Sequence, residues 1–171
     1  MKILLLNLMF VVCVVFPCLG YAVESDDIIG EWVTEDRDSR VEIFRKGHQY
    51  FGKIAALKQP HYLPGEIKGM DGQPRLDSNN QNESLRSRPM VGIELMKNFR
   101  FEHGKWVGGS IYDPKNGKTY SCEISLAEDG TLHVRGYVGV SLLGRTTVWE
   151  SAKVYLEKEM AFLGLADCSC Q

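Results

Sequence analysis

The stretch KTYSCEISLAEDGTLHVRGYV, residues 118–138, alternates apolar and polar side chains on both sides of a Glu-Asp-Gly turn. Strict alternation is the signature of a β-strand with one buried face, because successive side chains leave a strand on opposite sides. In the first limb Tyr120, Cys122, Ile124 and Leu126 share a face; in the second, Leu132, Val134, Gly136 and Val138 do. A register slip of one residue would set apolar against polar, so only an odd-length loop fits. A three-residue loop, Glu128-Asp129-Gly130 with Gly130 in the left-handed region, meets that condition. It predicts Leu126 opposite Leu132, Ile124 opposite Val134 and Glu123 opposite Arg135.

The same logic extends upstream. Asp113-Pro114-Lys115-Asn116-Gly117-Lys118 is a turn in which Pro114 presets φ, Asp113 bonds nearby N–H groups and Gly117 takes φ > 0. It predicts Asp113 opposite Lys118 and Ile111 opposite Tyr120, which adds Val107, Gly109 and Ile111 to the apolar face. Trp106, Ser110, Tyr112, Glu123, His133, Arg135 and Tyr137 fall on the other face, expected toward solvent, with a cavity lining in a wider barrel as the alternative. Further runs lie near 29–34, 40–46, 49–58, 90–97, 99–103 and 145–155. The pattern predicts an all-β chain: one antiparallel meander barrel of about eight strands, residues 23–151. A short helical extension follows within 152–171, near Leu156–Leu165, with Met160 and Leu163 covering part of the barrel.

Two segments depart from this rhythm. Ile3 to Phe16 is apolar but for Asn7, follows Lys2, and leads to Gly20-Tyr21-Ala22. It is too short to span a bilayer and reads as a secretory leader, residues 1–22, cleaved after Ala22. No later segment is long and apolar enough to span a membrane, so the mature protein is expected to be periplasmic or secreted. The second is 58–89, with Pro60, Pro64, Pro74, Pro89 and the polar run Ser78–Asn82. Thirty residues without a strand pattern exceed an ordinary connection, which makes this the first place to look for function.

Composition narrows the classes. The chain has 171 residues, one domain's length, with 44% hydrophobic and 25% charged residues and a formal net charge of −2. Loss of the leader removes Lys2 and no acid, leaving 19 bases against 22 acids and a charge of −3. Neither balance supplies the basic face of a nucleic-acid binder. The four His are isolated and Cys168-x-Cys170 offers two ligands where structural zinc wants four, so no metal and no cofactor are expected. Cys122, Cys168 and Cys170 remain after cleavage as disulfide candidates, although Cys122 also reads as a small buried hydrophobe.

Several short motifs carry a resemblance. In order they are Ile29-Gly30-Glu31-Trp32, Gly52-Lys53-Ile54, Arg88-Pro89-Met90-Val91-Gly92, Trp106 to Pro114, Leu132 to Gly139, and Leu143 to Trp149. Together, over about residues 28–150, they resemble family 2147 of the domains of unknown function, secreted bacterial proteins. The resemblance implies a lipocalin-like, calycin-type barrel and no established reaction. Gly30-x-Trp32 is also similar to the first-strand signature of lipocalins, where the Trp closes one end of the barrel under an Arg from a late strand. That resemblance casts Trp32 and Arg145 as a structural barrel closure.

For chemistry, no Gly-x-Ser-x-Gly elbow exists. Ser110 or Ser121 with His133 and Glu123 share a predicted face and are the candidates for an envelope hydrolase, though no catalytic residue is expected. Asp71 and Asp77, with Glu66 and Glu83 in the same long segment, allow paired carboxylates for acid–base work, but loop acids read first as solvated. The favoured expectation is a non-enzymatic barrel binding a small hydrophobic or amphipathic ligand, gated by residues 59–88, with Tyr62, Tyr112, Arg135 and Tyr137 as contacts. The alternative is a module that docks an envelope protein through Trp106, Tyr112 and Tyr137, without a small ligand.

Overall fold

A computed structural model describes residues 22–165. The leader up to Tyr21, and Cys168 and Cys170, lie outside the described residues. Eight antiparallel strands close into a barrel in chain order: β1 (Gly30–Val33), β2 (Ser39–Lys46), β3 (Gln49–Leu57), β4 (Glu94–Glu102), β5 (Lys105–Asp113), β6 (Lys118–Leu126), β7 (Leu132–Tyr137) and β8 (Arg145–Ser151). A helix, α1 (Ala152–Phe162), follows. The seam between first and last strands is short, with Trp32 opposite Ser151 and Val33 opposite Glu150.

The two hairpins form in the expected register. Leu126 lies opposite Leu132, Ile124 opposite Val134, Glu123 opposite Arg135, Asp113 opposite Lys118 and Ile111 opposite Tyr120. Gly130 takes φ +78° and closes its turn by donating to the Ala127 carbonyl at 3.0 Å. Cys122, Ile124, Leu132 and Val134 are buried, so the apolar face is the inner one.

Trp106 breaks the expected alternation. It is fully buried, not on the outer face. The register of β5 against β6 shifts between Trp106, opposite Ile124, and Gly109, opposite Cys122. Val107 and Gly108 therefore face the single residue Glu123, in a bulge that Gly108 permits with φ +70°. One extra residue reverses the parity of everything before it, which turns Trp106 inward and leaves Val107 half-buried. Gly109 then provides space: a Cβ there would lie 2.4 Å from the Phe99 ring. A second bulge merges the runs 90–97 and 99–103 into the single strand β4. Asn98 takes φ +63°, and two residues, Lys97 and Asn98, stand opposite Phe51.

The N-terminal turn plugs one end of the barrel. Trp32 Nε1 donates to the Ile28 carbonyl at 2.8 Å, Trp106 Nε1 to the Ser25 carbonyl at 3.0 Å, and Tyr50 Oη to Asp26 Oδ1 at 2.8 Å. Ile28, Trp32, Tyr50, Phe99 and Trp106 are all buried there, and Trp106 meets Phe101 and Tyr50 at ring-centroid distances of 5.0 and 6.4 Å. Arg145 takes no part. Trp32 pairs with Ser151, six residues further along β8, which at strand rise is ~20 Å away. Arg145 instead sits 84% exposed at the other end, 3.8 Å from Glu35.

The extension also differs from expectation. The helix starts at Ala152, four residues early, and Met160 and Leu163 are 45% and 63% exposed rather than covering the barrel. It packs on β1 and β8, with Ala152 buried at its start, Lys158 Nζ donating to Glu150 at 2.7 Å and Arg37 over the Tyr155 ring at 5.5 Å. No helix among the described residues is long and apolar enough to cross a membrane.

Candidate ligand cavity

The end opposite the plug is hollow. A cavity of about 1060 Å³ runs from the buried walls Val41, Ile54, Leu95 and Val134 out to exposed residues such as Lys115 and Val138. This sits at the upper end of the range for small-molecule pockets, roughly 300–1,000 Å³. Ile111, Tyr120 and Trp149 line it as well. The large aromatics Phe99 and Trp106 fill the plugged half, while in the hollow half Gly136, whose Cβ would have only ordinary 3.7 Å neighbours in Ile111 and Tyr120, leaves space among the lining side chains.

The long segment between β3 and β4 is ordered and partly roofs this mouth. Its backbone folds on itself through Tyr62 N–H to the Gln73 carbonyl at 3.0 Å, Arg75 N–H to Pro60 at 2.9 Å and Met90 N–H to Arg75 at 2.8 Å. Arg75 binds Glu66 through both terminal nitrogens at 2.7 and 2.9 Å and lies over the Tyr62 ring at 5.1 Å. Tyr62 is buried and its hydroxyl accepts the Leu76 N–H. Tyr62, Ile67, Leu76 and Met90 face the cavity.

One buried carboxylate fastens the segment to the barrel. The Asp77 side chain has no exposed surface. Its Oδ2 accepts from Arg88 Nη2 at 2.8 Å, Arg88 Nε at 3.0 Å and Asn80 Nδ2 at 2.7 Å, and its Oδ1 accepts from the Tyr112 hydroxyl at 2.5 Å. Asp77 is therefore a structural acid, in contrast to the solvated acid its sequence context suggests. Burial first, then the hydrogen bond to and charge of Asp77, push the Tyr112 phenol up to about 12. A second tie joins Asn79 Nδ2 to the Pro114 and Lys115 carbonyls at 3.3 and 3.1 Å. The contact is close enough that a Cβ on Gly117 would fall 1.9 Å from the Asn79 carbonyl oxygen.

Charges on the rim are largely neutralised. Lys115 Nζ donates to Asp36 at 2.6 Å and Asp38 at 2.9 Å, tying the β5–β6 turn to the β1–β2 turn. Burial raises the Asp36 pKa, but hydrogen bonds from Lys115, Thr34 and the Asp38 N–H outweigh it and hold the carboxyl below its usual range. The two Asp hydrogen bonds in turn raise the Lys115 ammonium above its ordinary value.

Of the residues chosen from sequence, Tyr62, Tyr112 and Tyr137 line the cavity and Arg135 does not. The Arg135 guanidinium holds the loop after β7, donating to the Ser141 carbonyl at 2.9 and 2.6 Å and to Thr146 Oγ1 at 2.9 Å. The hydrolase candidates do not form a relay among the described residues. Ser110 lies opposite Ser121, His133 opposite Ser125, and Glu123 accepts from Ser141 Oγ at 2.8 Å. Cys122 is enclosed in the barrel, and burial, with the Glu123 charge, pushes its thiol up to about 12. A bridge from it to the tail would have to enter that packed interior.

Sequence reading misses the interior liners Val41, Ile54 and Trp149 as a set, because a wall and a packed core have the same alternation. It also misses Asp77 and Arg88 as partners. Arg88 stands in a quoted motif, but nothing local signals an acid eleven residues upstream.

The barrel has counterparts among known proteins. HP1028 of Helicobacter pylori, described as belonging to the lipocalin family, superposes with a TM-score of 0.62 over 78% of this chain and 88% of that one, at 19% identity. At that identity the likeness concerns the fold alone, and the fold is lipocalin-like. No curated protein matches the chain. The model of the family DUF2147, described as an uncharacterized protein conserved in bacteria, matches residues 30–151, the whole barrel from its first strand to its last, and the chain belongs to that family.

Proposed function

We propose that this protein is a non-enzymatic binder of a small hydrophobic or amphipathic molecule, working in the periplasm or outside the cell after cleavage near Ala22. The observation that carries the reading is the cavity of about 1060 Å³, apolar in its depth, where buried Trp149 joins the aliphatic walls, and tyrosine-lined and polar at its mouth. Such a gradient suits an apolar body held inward and a polar end held at the tyrosines Tyr62, Tyr112 and Tyr137. With Asp36, Asp38 and Lys115 already paired, the mouth favours a polar end without strong net charge. The envelope-docking alternative loses its main anchor, since Trp106 is buried.

The test is native mass spectrometry of the protein purified from its own envelope, with denaturing release of any bound molecule, beside a Gly136→Phe variant. Gly136 lines the cavity, and a Cβ there meets only the Ile111 and Tyr120 side chains, at an ordinary 3.7 Å, so a larger side chain at this position is expected to take up cavity space. The expected result is an added small-molecule mass on the wild type that the folded variant lacks. A bare wild-type mass that stays bare after incubation with envelope lipid extract overturns the reading.

A further inference from the structure

Beside the mouth, the turn between β7 and β8 presents an unusual surface. From Gly136 to Gly144 the sequence contains no charge. Val138, Val140, Leu142 and Leu143 are 71%, 61%, 87% and 78% exposed. Val138 and Leu143 also line the cavity, so the apolar surface of the turn continues into the apolar interior of the barrel. A second exposed aliphatic, Ile67 in the β3–β4 segment, borders the same cavity, with Leu63 exposed nearby.

The turn is braced. Leu143 N–H donates to the Val140 carbonyl at 3.1 Å and Gly144 N–H to Ser141 at 3.1 Å, in a single 3-10 turn over Ser141–Leu143. Arg135 fills the Ser141 carbonyl at 2.6 Å and reaches the Leu142 carbonyl at 3.3 Å, while Ser141 Oγ donates to Glu123. The tip therefore carries aliphatic side chains outward on a backbone whose Val140, Ser141 and Leu142 carbonyls are satisfied from behind. That combination lowers the cost of entering an apolar layer, where every unpaired backbone group is expensive.

We infer that the 138–143 turn is a landing surface for a lipid bilayer, which brings the cavity mouth against the acyl layer. The inference rests on the ligand-binding reading above. The choice of lipid over a protein partner follows from the residue types. Protein hot spots are enriched in Trp, Tyr and Arg and poor in Leu and Val, whereas this tip is wholly aliphatic. The charge on its shoulder agrees: Arg145, directly after the turn, is 84% exposed and only loosely paired with Glu35 at 3.8 Å, a surface contact worth little that leaves the guanidinium open to anionic headgroups.

The experiment is flotation of the wild-type protein with vesicles of equal parts phosphatidylethanolamine and phosphatidylglycerol. Leu142→Asp and Val140→Asp are compared with Phe162→Asp, which alters an equally exposed residue on α1, a helix that contributes nothing to the cavity. The expected result is that wild type and Phe162→Asp float alike, while each tip variant partitions at least ~10-fold less, since a charge replaces an inserted aliphatic group. Circular dichroism and the ligand mass of the tip variants stay as in wild type. Absence of wild-type flotation, flotation of the tip variants equal to wild type, or binding only to native membranes that still hold protein overturns the inference. A wild type that carries ligand yet does not float refutes the landing surface and leaves the ligand reading standing. A bare protein that still floats through Leu142 refutes the ligand reading alone.

Discussion

Replacing Arg88 by Met is the sharpest perturbation of the segment that roofs the cavity. Met keeps most of the apolar stem and removes the guanidinium. Asp77 then retains Asn80 and Tyr112 as donors but loses both charge-assisted bonds from Arg88, at 2.8 and 3.0 Å, while its carboxylate stays inaccessible to water. Breaking a buried ion pair by deleting one partner costs roughly 3–5 kcal/mol. Arg88 is itself 36% exposed, so water already screens its side of the pair and the expected cost falls to about 2–3 kcal/mol. With a urea slope of about 2 kcal/mol/M, the midpoint drops by about 1–1.5 M if the segment unfolds with the barrel. If it opens alone, the same free energy appears as faster exchange of the Asp77 amide, which donates to the Arg88 carbonyl, by a factor of about 30–150. Lys46→Met is the control: it breaks the Lys46–Glu94 pair, 56% and 32% exposed, and costs at most about 1 kcal/mol. A double-mutant cycle of Asp77→Asn with Arg88→Met measures the coupling directly. If Arg88→Met changes both the midpoint and the Asp77 exchange no more than Lys46→Met does, Asp77 is not the fastening point and the reasoning fails.

Further outcomes follow from the same geometry. Gly117→Ala combines φ +70° with a Cβ that would overlap the Asn79 carbonyl, and a loss of about 1–3 kcal/mol with faster Asn80 amide exchange is expected; a neutral effect by calorimetry would contradict the close packing of segment on turn. Trp106→Ala empties the plugged end and costs about 3–5 kcal/mol in urea unfolding, whereas an outward Trp106 would cost well under half that. The Cys122 thiol keeps its proton to about pH 12 in the folded state but ionises near 9.0 when unfolded. Its burial therefore contributes fully below pH 9, and that contribution is lost as pH rises from 9 toward 12. Cys122→Ala should flatten the alkaline decline in stability, measured by urea titration at stepped pH. The folded wild type should also resist thiol reagents at pH 8 until denatured.

The sequence is most legible where side-chain alternation and turn chemistry agree. Both conditions hold from Gly109 to Tyr137, where Gly117 and Gly130 fix the loops, and the observed register follows residue by residue. Alternation fails at Trp106 because a bulge at Val107 and Gly108 adds one residue, and a count by twos has no means of seeing it except the paired glycines. The closure by Trp32 and Arg145 fails on direction: antiparallel pairing sends the start of β8 away from Trp32 and brings Ser151 to it. The β3–β4 segment is the hardest to read. Its order comes from Asp77, Arg88 and Tyr112, which belong to different parts of the chain and meet only after β5 is in place. A polar, proline-rich composition does not distinguish this from a slack loop.

The seam between β1 and β8 has a consequence for how the barrel comes together and comes apart. Only Trp32 and Val33 bridge to Ser151 and Glu150, the smallest strand interface in the barrel, and they join the first strand made to the last. Every other pairing links sequence neighbours and can form early, so ring closure waits for the whole chain and bears the largest entropic cost. The N-terminal turn is fastened elsewhere, through Ser25 to Trp106 and Asp26 to Tyr50. If the seam opens, β1 stays held by β2 and by the N-terminal turn, while β8 keeps β7 as its one strand partner. Opening exposes two edges, β1 of four residues and β8 of seven, and the longer one is where strand exchange between molecules would begin.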